Sequence, residues 1–322
     1  MSKPTPALTS AKKTAAALAF VLGLTVTALA NGAVSEFPAG GVVFKPEKQI
    51  AIAREDLDIG LFRIHVHYVF RSSAHQPLTR TIGFPLAKVP QDDSPDGFDD
   101  TNRNYMDFKV SVNGKPLEPK LHEYGWFGGH NITAELRRLK VPVFAATPDL
   151  FRALAALPKA TVNKLKAGKL VEADENSAWL VPQWLYQSVY EWTQTFAPGR
   201  TEVDISYQPV SGAGNDYDAY YPGGSKAKRY CLTDATGRQL AKLKAGGPTP
   251  EPTTVGYILK TARNWHGPIG AFHLTVADKN AIASFCVPDG LKAAGDGKTW
   301  TATNFVPKQD LSVVFYYREP PQ

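Results

Sequence analysis

Phe62-Arg63-Ile64-His65-Val66-His67-Tyr68-Val69-Phe70 decides the fold class. Apolar side chains at 62, 64, 66, 68 and 70 recur every second residue, with Arg63, His65 and His67 between them. Successive strand side chains point to opposite faces, so this period describes a strand with one face in a core and one in water. A helix would place its apolar residues three and four apart. The polar stretch 71–76 then reads as a turn, and 78–84 as the returning partner strand.

The same signal extends outward in both directions. Phe108-Lys109-Val110-Ser111-Val112 followed by Asn113-Gly114 is a strand with a tight hairpin turn. In 189–196, Tyr190, Trp192 and Phe196 share one face; Ala197-Pro198-Gly199 turns, and Val203, Ile205 and Tyr207 alternate afterwards. Further strands are expected at 255–260, 270–277, 282–287, 299–305 and 311–317, with the Gly/Pro/Lys-rich stretch 241–254 as an exposed connection. Trp184, Trp192, Trp265 and Trp300 lie in strand-like surroundings and read as core.

Between these regions the pattern changes. Asn131 is placed to cap a short helix through Leu139. Thr147-Pro148-Asp149 supplies a cap, a first-turn proline and an acid at the positive helix end. Pro158 restarts a helix that Gly168 ends. The fold class expected is mainly β, antiparallel β-sandwich-like modules with a short α-helical insert. The expected divisions are a leader at 1–30, an N-terminal β module at 31–130, a helical insert at 131–178 and a C-terminal β module at 179–322.

Export is written at the N-terminus. Lys3, Lys12 and Lys13 precede the uncharged apolar run 14–27, and Ala28-Leu29-Ala30 offers a small-residue cleavage site. That run falls short of the roughly 20 apolar residues that span a bilayer, so cleavage after Ala30 is expected rather than a retained anchor. No cysteine follows the run to carry a lipid, and no second stretch approaches spanning length. The formal charge of +6 includes the three leader lysines, which leaves 33 basic against 30 acidic side chains. A balance that even gives no reason to expect nucleic acid as a partner. Cys231 and Cys286 are the only cysteines, and in an oxidising compartment an even pair reads as one disulfide. Its loop would be worth about 4 kcal/mol on the chain-entropy account.

Several stretches, in order, resemble one bacterial family. They are Ala39-Gly40-Gly41-Val42-Val43-Phe44, Arg54-Glu55-Asp56-Leu57, Phe84-Pro85-Leu86, and Trp192-Thr193-Gln194-Thr195-Phe196-Ala197-Pro198-Gly199. Tyr230-Cys231, Asn264-Trp265-His266-Gly267-Pro268-Ile269-Gly270 and Ser284-Phe285-Cys286 continue the series. Together they are similar to the family catalogued as domain of unknown function 4424, across nearly all of the chain after the leader. The resemblance implies a secreted, periplasmic protein of a Gram-negative bacterium and brings no catalytic residues with it. Ala197 and the tyrosine-rich loop 217–221 depart from the family pattern. In the loop 264–270, Pro268 and two glycines are expected to fix a turn with Trp265 beneath it.

Chemistry-bearing residues are sparse. His65 and His67 share a strand face at a spacing that suits two metal ligands, but no further ligands accompany them in sequence, and they read as solvent-face residues. The acidic stretch 92–100 offers Asp92, Asp96, Asp99 and Asp100 to calcium, although Arg103 stands where a calcium loop needs its bidentate Glu. Tyr217, Tyr220 and Tyr221 with Asp216 and Asp218 could bind a sugar or a protein from a glycine-rich loop. Ser211 lacks the preceding glycine of a nucleophile elbow. Gly128-Gly129-His130 before a helix could receive an anion. No coherent catalytic set and no cofactor motif emerge, calcium apart. The expectation is a non-catalytic envelope protein that binds a protein partner, an envelope component or a ligand, or supports an assembly. A secreted hydrolase whose acids meet only in three dimensions, and a calcium- or carbohydrate-binding module, are the alternatives.

Overall fold

The computed structural model describes residues 32–37, 43–91, 104–144, 148–173, 179–210, 217–245, 247, 249–279, 281–295 and 297–317. The leader, the four candidate calcium aspartates, Ser211 and Asp216 lie outside these residues. The strands begin with β1 (Ala33–Glu36), β2 (Val43–Phe44), β3 (Ile50–Ile59), β4 (Ile64–Ser72) and β5 (Leu78–Pro85). Next come β6 (Lys109–Val112), β7 (Lys115–Leu117), β8 (Lys120–Phe127) and β9 (His130–Asn131). The insert holds α1 (Thr133–Arg138), α2 (Pro148–Ala155), α3 (Lys159–Ala167), β10 (Val171–Ala173) and β11 (Leu180–Pro182). After it follow β12 (Leu185–Phe196), β13 (Gly199–Tyr207), α4 (Asp234–Ala245), β14 (Glu251–Tyr257) and β15 (Ile269–Val276). The chain closes with β16 (Ala281–Phe285), β17 (Lys292–Ala293), β18 (Thr299–Phe305) and β19 (Leu311–Tyr317).

Three sheets share one core. An eight-stranded sheet runs β17-β18-β15-β3-β4-β13-β6-β7, a six-stranded sheet β2-β1-β5-β12-β8-β9, and a three-stranded sheet β14-β19-β16. All pairs in these sheets are antiparallel except β15 with β3. Inward residues of all three, including Ile64, Val66, Tyr68, Phe84, Tyr190 and Phe315, form a single apolar cluster. Fully burying each such side chain contributes about 1.5–3 kcal/mol.

β4 confirms the period-two reading, with Ile64, Val66, Tyr68 and Phe70 buried. Phe62 is the exception. It lies before the strand, in the turn from β3, and is 44% exposed. The expected hairpin partners are also different. β4 pairs with β3 and β13, whereas β5 crosses to the six-stranded sheet and pairs with β1 and β12. β12 and β13, flanking Ala197-Pro198, cross in the same way. Phe70 and Phe196, each near such a crossing, meet edge to face at 5.4 Å. Crossing sets the apolar faces of successive strands against each other, which a hairpin within one sheet cannot do.

These crossings bear on the expected modules. Both large sheets mix strands from 31–130 with strands from 179–322, so the two stretches build one core rather than one each. Leu136, Leu150, Leu154 and Leu165 of the insert form a small separate cluster with Trp184 just after it, and the Trp184 indole donates to the Val143 carbonyl at 2.8 Å. Asn131 is not the α1 cap residue; that position is Ile132, and the Asn131 carboxamide accepts from Thr133 N–H at 2.9 Å. Gly168 does follow α3, but Lys169 takes the left-handed conformation with φ 56°. The stretch 241–254 is only partly a connection, since α4 occupies it to Ala245 and β14 starts at Glu251.

Candidate functional site

The eight-stranded sheet buries one face and leaves the other to solvent, as antiparallel sheets commonly do. The open face carries an ordered polar row. Cross-strand register places His273 beside Asp56, Asp56 beside His67, and His67 beside Asp204, on β15, β3, β4 and β13. A parallel row runs Thr275, Asp58, His65, Ser206. Directly opposed side chains lie within reach of one another, so Asp-x-Asp on one strand meets His-x-His on the next. His273 Nδ1 lies 2.8 Å from Asp56, and His67 Nδ1 lies 2.8 Å from Asp204. Arg54 Nε donates to Asp56 at 2.7 Å. His65 stands 3.7 Å from both Asp58 and Asp204. Among the described residues, no three His, Cys, Asp or Glu side chains are arranged to hold a metal ion.

At one end of these rows the sheet opens into a groove of about 490 Å³. Gly60 N–H donates to the Arg63 carbonyl at 2.9 Å and closes the turn between β3 and β4. That turn is tied to the end of β15, because Ala277 N–H donates to Ile59 O at 3.1 Å and Leu61 N–H to Asp278 at 3.4 Å. Phe62 is thereby held at the rim, edge-on to Tyr317 of β19, with ring centroids 5.5 Å apart. Asp58, Arg63, His65, Thr275, Asp278 and Lys279 supply the polar lining. Arg63 is steadied by a 3.0 Å hydrogen bond to the Ser206 hydroxyl. An aromatic corner of two perpendicular rings, with donors and acceptors around it, can hold a small polar molecule that has one apolar face.

The remaining sequence candidates have definite places. Cys231 and Cys286 are joined in a disulfide that ties the segment before α4 to the end of β16. Tyr220 is buried with Tyr230, Leu240, Val314 and Tyr316, and its hydroxyl accepts from Lys226 at 2.6 Å. The Tyr221 hydroxyl donates to the Pro250 carbonyl. Tyr217 and Asp218 alone of the described members are exposed, so the structure does not gather the tyrosine set into one surface. Glu55 and Asp56, adjacent in sequence, point apart: Glu55 is fully buried and Asp56 lies on the open face. Gly128 and Gly129 form the turn of the β8–β9 hairpin, with φ 54° and 83°.

Sequence reading missed Phe62, Asp58, Asp204, Asp278 and Tyr317 as a set. Asp56-Leu57-Asp58 alternates in the same period as His65-Val66-His67, and pairing those two strands was the one signal able to find the polar rows.

These features define a predominantly β, sandwich-like protein with an open groove at the end of one sheet. The family described as "Domain of unknown function (DUF4424)" matches residues 30–314, and the chain belongs to it. No curated protein matches the chain. One similar solved structure, from Legionella pneumophila subsp. pneumophila str. Philadelphia 1, is of a proposed nutrient binding protein. It is 16% identical, over 88% of this chain and 72% of that one, with a TM-score of 0.43. That likeness is too loose to carry fold or function across.

Proposed function

We propose that this chain is an exported, non-catalytic binding protein of a Gram-negative envelope. Its ligand is a small polyhydroxylated molecule of sugar size, held in the Phe62–Tyr317 groove. The groove carries this reading: it has the volume of a ligand site, the exposed Phe62 ring set edge-on to Tyr317, and polar side chains around them. The basic, then apolar, then small-residue leader and the bridged cysteines support export. No helix among the described residues is long and apolar enough to cross a membrane. Large exposed apolar residues such as Trp179, Leu185, Val287 and Val306 come from separate elements, which favours a small ligand over a broad apolar protein interface.

Calorimetric titration of residues 31–322 with a panel of mono- and oligosaccharides tests the reading. Phe62→Ala is expected to weaken the best ligand at least tenfold, about 1.4 kcal/mol. Its melting temperature should stay unchanged, because Phe62 lies outside the core. Equal affinity in Phe62→Ala, or turnover of the bound sugar to a cleaved product, would contradict it.

A further inference from the structure

Beyond β5 the chain follows β12 loosely. Leu86 N–H donates to Ser188 O and Val89 N–H to Tyr186 O, both at 2.9 Å, so Ala87 and Lys88 bulge opposite Gln187. The bulge carries Lys88 across β12 until its ammonium stands 3.4 Å from the centroid of the Trp126 ring on β8. Lys88 is half-buried, and the only charge-directed contact it makes among the described residues is with that ring.

Two further groups at this place are incomplete. Among the described residues, the buried Trp126 indole N–H finds no hydrogen-bond partner. Gln187 is fully buried; its Nε2 donates to the Leu86 carbonyl at 2.9 Å, but its Oε1 accepts from none of the described residues. Register puts Trp126 opposite Leu185 and Tyr124 opposite Gln187, so Trp126 and Gln187 are diagonal neighbours on one side of the sheet. A half-desolvated cation, an unused donor and an unused acceptor therefore share this one face of β12 and β8. Buried polar groups ordinarily find partners, so three incomplete groups in one patch point to a missing one.

We propose that Lys88, Trp126 and Gln187 form a second binding site, for a small carboxylate that also bears a hydroxyl or amino group. The carboxylate accepts from the Lys88 ammonium and the Trp126 indole, as charge-assisted bonds favour. The ligand's own O–H or N–H donates to Gln187 Oε1. Burial holds the Lys88 ammonium down to about 8, so the cation needed for binding is present at neutral pH and is lost above that value. The other titratable and charged groups around this face are Tyr124, pushed up by burial against the opposing pull of the Arg137 charge, the His122–Glu191 pair further along β8 and β12, and Lys120 opposite Glu191.

The test is a titration of residues 31–322, with tryptophan indoles labelled with nitrogen-15, by sodium lactate at constant ionic strength. Trp126→Phe assigns the peak. The Trp126 indole should shift saturably with lactate, and Lys88→Met should abolish the shift. Propionate, which has no donor for Gln187, should bind at least tenfold more weakly, and Gln187→Met should erase that preference. Affinity should fall about tenfold per pH unit above the Lys88 midpoint. Phe62→Ala should leave all of this intact, which separates this site from the groove. An indole that stays still at about 100 mM lactate overturns the site, since that bounds Kd above any useful range. It is equally overturned if the indole moves only after Asp92, Asp93 and Asp96 are replaced by Asn, for the acidic stretch would then already serve Lys88.

Discussion

Individual residues decide where this chain departs from its own pattern. Phe62 fits the alternation of the strand that follows it and was legible only as core. Gly60 ends β3 one step earlier, and the turn it closes turns Phe62 out to the rim. Periodicity reports which face a residue would take in a strand, and says nothing of where the strand begins. Glu47 illustrates the opposite case, a charged residue that sequence alone would leave on the surface. Its carboxylate is buried, accepts from Lys48 and Gln49 N–H groups at 2.8 Å each, and meets Arg80 Nε at 2.5 Å. Burial works to raise its pKa, but the Arg80 guanidinium and those two amides outweigh it, and the net direction is downward. A carboxyl depressed in the fold contributes stability above its unfolded pKa and loses it as pH falls through the folded value. Arg80→Met leaves that carboxylate without its cation and should cost about 3 kcal/mol at pH 7. Urea unfolding at pH 7 and again below pH 4 should show the wild-type advantage shrinking in acid.

Among the elements, β3 and β15 do most to shape the site. β3 alternates from Ile50, but its register with β4 slips between Ile52 and Arg54. The bulge leaves Ala53 as an extra residue, so Glu55, Leu57 and Ile59 face inward while Asp56 and Asp58 join the open polar rows. Glu55 enters the core beside Tyr257, whose hydroxyl lies 3.0 Å from that of Tyr68. Desolvation first, and the Glu55 charge second, push both phenols well up. The bulge also explains Gly270. Sequence reading grouped it with Gly267 as a turn residue; Gly267 does turn, with φ 72°, but Gly270 lies in β15 against the Ala53 carbonyl. A Cβ there would stand 2.6 Å from that oxygen. Gly270→Ala should therefore destabilise by about 2 kcal/mol, as overpacked positions do. Gly267→Ala meets open space and should lose only about 1 kcal/mol to backbone strain. Thermal unfolding of the two variants checks the order. β15 was legible in sequence because period two is local, whereas β3 was not read as a strand, since the extra residue at its bulge shifts the alternation halfway along it.

Over the whole molecule, most strands and the helical insert were readable in sequence, while the pairing of distant strands was not. β3 finds its parallel partner more than 200 residues away in β15, and β4 finds β13 across the entire insert. Short-range patterns cannot specify such partners, which are chosen by the fit of two apolar faces. The candidate site was hidden for the same reason, since its members come from the β3–β4 turn, the end of β15 and the last strand. The Tyr-rich loop drew attention because its residues are neighbours in sequence, yet Tyr220 and Tyr221 serve packing and hydrogen bonding. The measurement that tests the central claim most directly is amide-resolved NMR of residues 31–322 with the tightest-binding sugar. A ligand in the groove should move the resonances of Asp58, His65, Thr275, Asp278 and Tyr317 together and saturably, leaving Tyr217 and Asp218 unmoved. Shifts centred on Tyr217 and Asp218, or none around the Phe62–Tyr317 groove, would contradict the account.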